Sequence, residues 1–137
     1  MKHKLVKDIM ISNPPSVTLG TELNFVVDKL LENQVLGMPV VDQEQRVVGF
    51  VSEQNCIRSL LLSSYHREGS TFVEEVMFDQ PLTVSPNDSI VDLAKRMTEN
   101  KPKIYPVVEN GKLVGLVHRS AVMQVLRDAQ QVFANVA

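Results

Sequence analysis

The chain has 137 residues, 44% of them apolar and 22% charged, with a net charge of −2. That is an ordinary globular composition, long enough to bury roughly two-thirds of its unfolded surface. The charge argues against a nucleic-acid-binding domain, which gathers a basic excess on one face. No apolar run approaches the roughly 18 residues of a membrane span. The basic N-terminus "MKHKLVKDIM" has neither the apolar core nor the cleavage site of a signal peptide. Cys56 is the only cysteine, which excludes an intramolecular disulfide and a cysteine-based metal cluster. The expected setting is cytoplasmic.

The first element is a short leader, "VKDIM" (6–10), followed by an extended piece at Ser16-Val17-Thr18. Leu23, Val26, Val27, Leu30 and Leu31 then recur at helical spacing, with Thr21 as the expected N-cap. A β-rich run covers Met38–Asp42, a loose turn follows, and a second run covers Arg46–Ser52. A helix is predicted over about Glu53–Ser63. "SYHREGS" (64–70) reads as a polar linker, and Thr71 with Glu74 as a capping box. The same order then recurs. A second leader, "VEEVM" (73–77), precedes an extended Leu82-Thr83-Val84. Ile90, Leu93, Ala94 and Met97 mark a helix capped by Asp88. Two runs, Ile104–Glu109 and Lys112–His118, flank Asn110-Gly111, a strong two-residue hairpin signal. A closing helix covers about Arg119–Phe133.

The recurrence is a duplication. A shift of 67 places Pro14 on Pro81, Val17 on Val84, and Pro39-Val40-Val41 on Pro106-Val107-Val108. After the turn, "DQEQR" has become "ENGK", and a shift of 66 places Gly49 on Gly115 and Leu60 on Leu126. Each half reads β-α-β-β-α, so the expected fold is α/β (α+β), small mixed sheets flanked by helices. The boundaries are repeat 1 at 1–63, a linker at 64–72 and repeat 2 at 73–137. A half of this size is marginal alone. The halves should therefore pack about a pseudo-two-fold axis, leaving a cleft of the kind ligands occupy.

The chemistry-bearing residues do not read as an enzyme. No P-loop and no Gly-x-Gly-x-x-Gly occurs. His3, His66 and His118 are scattered, without the spacing of a helical metal site. No nucleophile elbow frames a serine. Cys56 aligns with Val122, so it reads as a buried core thiol. The informative stretch is Gly49-Phe50-Val51-Ser52-Glu53-Gln54-Asn55. There a strand ends, a hydroxyl stands at a helix start, and an amide follows three residues later. Ser52 suits a plain N-cap, and the same geometry suits a phosphate or a sugar diol.

With "MPVVDQEQRVVGFVSEQN" (38–55) and "YPVVENGKLVGLVHRSA" (105–121) in register, the chain resembles a tandem pair of CBS domains, the Bateman module. The leaders and the Ser85-Pro86-Asn87-Asp88 stretch add to the likeness, which covers residues 5 to about 130. It implies regulation rather than catalysis. The ligand implied contains adenosine: AMP, ADP or ATP, in other members S-adenosylmethionine or NAD. No catalytic cofactor and no metal is implied. The partners implied are a second copy, making a disk of four repeats, and an unknown regulated protein; nucleic acid and membrane are not. Met1 and the polar C-terminal helix suit a stand-alone protein.

The family holds ribose with a Gly-h-x-h-[Ser/Thr]-x-x-[Asp/Asn] stretch of one repeat and the base against the other. Carried over, a first nucleotide site takes Phe50, Ser52, Gln54 and Asn55, with Pro81, Leu82, Lys103, Ile104 and Pro106. Asn55 stands where Asp is commoner, and an amide has one acceptor oxygen. The exchange costs on the order of 1 kcal/mol, near tenfold in affinity. Lys103 is a candidate partner for a phosphate. A second site takes His118, with Pro14, Pro15, Leu36, Gly37 and Pro39, and Arg119 as its candidate cation. Ala121 cannot hold a diol, so this second site is expected to be degenerate. The alternative reading is a ligand-free dimerisation and protein-interaction module.

Overall fold

In the computed structural model, residues 4–65 and 69–136 are described, without the side chains of 63–65 and 131–136. The linker residues 66–68, His66 among them, and His3 lie outside the described residues. In chain order the strands are β1 (Ile11–Ser12), β2 (Val17–Thr18), β3 (Gly37–Val41), β4 (Val47–Ser52), β5 (Ile104–Glu109) and β6 (Lys112–His118). The helices are α1 (Leu23–Asn33), α2 (Glu53–Tyr65), α3 (Ile90–Met97) and α4 (Arg119–Val136). The fold is mixed α+β, with two small sheets flanked by helices.

Two compact units divide the chain, and their composition cuts across the duplication. The N-unit holds Pro14–Pro81 and Gly111–Leu113. The C-unit holds Met1–Asn13, Leu82–Asn110 and Val114–Ala137. Each leader therefore serves the unit built mainly from the other repeat. In the N-unit, Val73 N–H donates to Thr21 O and Leu23 N–H to Thr71 O, both at 2.8 Å. In the C-unit the equivalent bonds run from Val6 N–H to Asp88 O and from Ile90 N–H to Lys4 O, both at 2.9 Å. Val6 and Val73 are both fully buried, so each leader also supplies a core side chain.

In the N-unit, β3 lies between β2, parallel to it, and β4, antiparallel to it. Its core gathers Val17, Leu23, Val26, Leu30, Met38, Val40, Val51, Cys56 and Val73. In the C-unit, β6 lies between β1 and β5. That core gathers Val6, Val84, Ile90, Leu93, Tyr105, Val107, Val117, Val122 and Val125. Cys56 and Val122 occupy matching buried positions, as the duplication predicts, and burial pushes the Cys56 thiol up from its ordinary value. Tyr105 is buried with its hydroxyl unpartnered among the described residues, and the Arg96 guanidinium lies 5.9 Å from its ring centroid. Pro106 costs no ladder bond. Its carbonyl accepts from Val84 N–H at 3.0 Å, and the short parallel pairing runs on to Val108 rather than back past the proline nitrogen.

The two turns differ as their sequences indicate. Asn110 and Gly111 both have positive φ, 53° and 80°, the requirement of a tight two-residue hairpin. The longer turn is held by Asp42, whose Oδ1 accepts from Glu44 N–H at 2.9 Å and Arg46 N–H at 3.0 Å. Those bonds, the Arg46 one foremost, keep the Asp42 carboxyl below its ordinary range.

Three expectations need correction. Thr21 and Asp88 are not the caps of α1 and α3; Glu22 and Ser89 hold those positions. The Thr21 hydroxyl donates instead to Thr18 O at 2.8 Å, and Asp88 accepts from Ser85 N–H at 2.9 Å, both in the preceding turn. Glu22 makes no side-chain cap, and the first N–H of α1 is satisfied by the carbonyl of Thr71, two residues before the second leader. The box predicted from Thr71 and Glu74 sits one residue on: Glu75 accepts from Phe72 N–H at 2.7 Å, while Glu74 accepts from Gly20 N–H at 3.0 Å. Leu31 is exposed rather than on the buried stripe of α1.

Gly49 and Gly115 occupy equivalent places for one reason. A Cβ at Gly49 lies 2.4 Å from Met77 Sδ and 3.0 Å from the Phe78 carbonyl; at Gly115 it lies 2.7 Å from Met10 Sδ and 2.9 Å from the Ile11 carbonyl. The leader methionine and its backbone fill the space a side chain needs. Gly49→Ala and Gly115→Ala should each lower stability by about 1–3 kcal/mol, read from urea unfolding. Adding Met77→Ala to Gly49→Ala should not restore the loss, because the Phe78 carbonyl remains.

Candidate functional site

The informative stretch sits where β4 becomes α2. Ser52 is the last residue of the strand and Asn55 lies in the first turn of the helix. Their side chains cap that helix reciprocally. Asn55 N–H donates to Ser52 Oγ at 3.2 Å, while Ser52 N–H and Ser52 Oγ donate to Asn55 Oδ1 at 3.0 and 2.9 Å. Both residues are half-buried, and Gln54 between them is exposed. The plain-cap reading and the polar-pair reading therefore describe the same atoms.

Phe50 lies two residues earlier on the same face of β4. It exchanges two backbone hydrogen bonds with Phe78, each at 2.9 Å, and faces Pro39 across the sheet. Its ring covers Gly37, where a Cβ lies 2.5 Å from the ring edge. Gly37 in turn pairs with Ser52. Members of both expected sites, Phe50 and Ser52 from the first and Gly37 and Pro39 from the second, thus share one stretch of the N-unit sheet. Leu36, exposed, accepts from Glu53 N–H at 2.9 Å. Pro14, Pro15 and Pro81 belong to the same unit and are half-buried. Phe78, 56% exposed beside Phe50, was not foreseen. Its signal was an aromatic directly after the second leader.

The remaining members lie in the C-unit. Leu82 is exposed, Ile104 half-buried and Pro106 buried. Lys103, from the first set, lies against the His118-Arg119 junction of the second, since Arg119 N–H donates to Lys103 O at 2.8 Å. This bond is the counterpart of Glu53 to Leu36. Neither Lys103 nor Arg119 has a carboxylate within 4.0 Å among the described residues. Ala121, half-buried, stands where Asn55 stands in the N-unit and carries no polar group. No helix among the described residues is long and apolar enough to cross a membrane.

The sequence profile of the CBS domain matches twice, at residues 6–62 and 73–128. The chain belongs to the CBS-domain family. Two CBS domains in tandem thus account for both sheets, for α1 and α3, and for most of α2 and α4. Among solved structures, the chain is similar to the CBS protein CBSX2 in complex with AMP, with a TM-score of 0.76, 29% identity, and coverage of 95% of this chain and 98% of that one. A CBS-domain pair crystallised with methylthioadenosine and S-adenosylmethionine is 21% identical, with a TM-score of 0.77 over 91% of this chain and 97% of that one, and shows the shared fold. An uncharacterised protein of Methanocaldococcus jannaschii is 25% identical over 82% of this chain but 39% of its own length. A protein encoded in a ribosomal RNA operon of Thermofilum pendens is 31% identical over 77% of this chain and 34% of its own length. The chain therefore spans about a third of these curated relatives.

The reciprocal cap is a coupled pair. Ser52→Ala and Asn55→Ala should each cost about 1 kcal/mol of stability. The double variant should cost less than the two together, because either change alone removes the shared bond from Ser52 Oγ to Asn55 Oδ1. Urea unfolding of the four proteins measures the coupling; strict additivity would show that the two side chains do not act as one cap.

Proposed function

We propose that this CBS pair is a regulatory module that binds an adenosine-containing ligand, AMP, ADP or ATP, and modulates a partner protein rather than catalysing a reaction. The observation that carries the reading is the polar pair Ser52–Asn55 at the start of α2, in a chain 29% identical over most of its length to a CBS protein crystallised with AMP. In this reading Ser52, Gln54 and Asn55 meet the sugar. Phe50, Pro81, Leu82, Ile104 and Pro106 offer the base apolar surface, and Lys103 meets phosphate. The second set, Pro14, Pro15, Leu36, Gly37, Pro39, His118 and Arg119, is the degenerate one, because Ala121 gives no hydrogen bond to a sugar.

Calorimetric titration with AMP, ADP and ATP, alongside thermal unfolding, tests this. A nucleotide at a hundred times its Kd adds about 2.7 kcal/mol to stability. That is several degrees of melting temperature at this chain length. Lys103→Ala should weaken phosphate-bearing ligands by up to about fivefold and leave adenosine unchanged. No heat and no thermal shift with any of these at millimolar concentration overturns the reading.

A second reading, a cytoplasmic homodimer acting as an interaction module without ligand, has its own observation. Ile57, Leu60 and Leu61 of α2 fall at helical spacing and are exposed, Ile57 at 56% and Leu61 at 61%. Light scattering should give twice the chain mass. Ile57→Glu with Leu61→Glu should return it to one chain, and nucleotide should leave the mass unchanged.

A further inference from the structure

We infer that Asn55 sets which sugars the ligand can carry: it presents N–H donors and no spare acceptor, so binding does not depend on a free 2′,3′-diol. The inference rests on the adenosine reading above and adds a specificity to it. Ser52 N–H is an obligate donor. The Asn55 atom 3.0 Å from it is therefore the amide oxygen, which fixes the orientation of the side chain. The same Oδ1 receives the Ser52 hydroxyl proton at 2.9 Å. Both of its lone pairs are then engaged. Ser52 Oγ uses its one proton in that bond and accepts from Asn55 N–H at 3.2 Å.

What remains is two protons on Asn55 Nδ2, unpartnered among the described residues, and one lone pair on Ser52 Oγ. A vicinal diol that donates both hydroxyl protons needs two acceptor positions, and this pair has one. Nδ2 can donate to hydroxyl oxygens but takes no hydroxyl proton, so only one of the diol's two protons finds an acceptor on this pair. A carboxylate at position 55 differs in kind. One oxygen can keep both Ser52 bonds while the other accepts from the diol with full negative charge, the stronger type of hydrogen bond. Asn55 thus trades discrimination at the sugar for tolerance of it.

The test is calorimetric titration of the full chain and of Asn55→Asp with AMP and with 2′-deoxyadenosine 5′-monophosphate. The variant keeps the acceptor that caps α2 and places a negative charge at a helix start, where it is favourable, so it should fold. Thermal unfolding checks that it does. The wild-type chain should bind the two nucleotides within about threefold of each other. Asn55→Asp should prefer AMP by about tenfold or more, the loss expected for one hydrogen bond to a charged acceptor. A tenfold AMP preference in the wild-type chain, or the same ratio in both proteins, overturns the inference and leaves the adenosine reading standing. No binding of either nucleotide by either protein overturns both.

Discussion

The pair of backbone hydrogen bonds that ties each leader to a helix start of the other repeat is the constraint on which the rest of this structure depends. Leu23 N–H to Thr71 O and Val73 N–H to Thr21 O close the N-unit; Ile90 N–H to Lys4 O and Val6 N–H to Asp88 O close the C-unit. Each does two things at once. It satisfies a donor that a helix start leaves open, and it brings a valine, Val73 or Val6, into the core of a unit too small to be secure alone. The leader then runs on along the sheet, which is why Met77 and Met10 need glycines at 49 and 115. It is also why Phe78 pairs with Phe50 in one unit and Ile11 with Leu116 in the other.

This exchange explains what the sequence showed and what it hid. The duplication, the two runs of each half, the Asn110-Gly111 hairpin and the buried equivalence of Cys56 and Val122 are local patterns, and local patterns are legible. A bond between Leu23 and Thr71 is not. It is made by backbone atoms, which carry no side-chain signature, across some fifty residues of sequence. The misplaced caps follow from the same fact. Thr21 and Asp88 looked like caps because short polar side chains near helix starts usually are. Here the leader carbonyls supply acceptors at those starts, and the side chains bond within the preceding turns instead. Leu31 matched the helical period but fell at the edge of the stripe, where nothing in its unit covers it.

At the candidate site, residue types were legible and their hydrogen-bond state was not. Ser52 and Asn55 could be picked out from the spacing of a hydroxyl and an amide. Which atoms of the pair remain available depends on how the cap is made, and that requires coordinates. Oδ1 of Asn55, the acceptor that its residue type suggests, already takes two bonds from Ser52. Residue names alone do not show which of these atoms the cap has already engaged.

The same bond, drawn in both units, then shows how far the copies have diverged. Glu53 N–H to Leu36 O and Arg119 N–H to Lys103 O are equivalent, and they hold a helix start against the end of the segment before β3 or β5. Around that fixed backbone the N-unit carries a leucine, a serine and a glutamate, while the C-unit carries a lysine, a histidine and an arginine. Folding requires the bond and places little demand on the side chains of Leu36, Glu53, Lys103 and Arg119, which are all exposed. Positions free of a folding constraint are the ones a duplicated fold can use for recognition. One copy carries the neutral hydrogen-bonded pair Ser52–Asn55, and the other has gathered the cations Lys103 and Arg119 at the equivalent bond, so the two helix starts differ in charge while sharing a backbone.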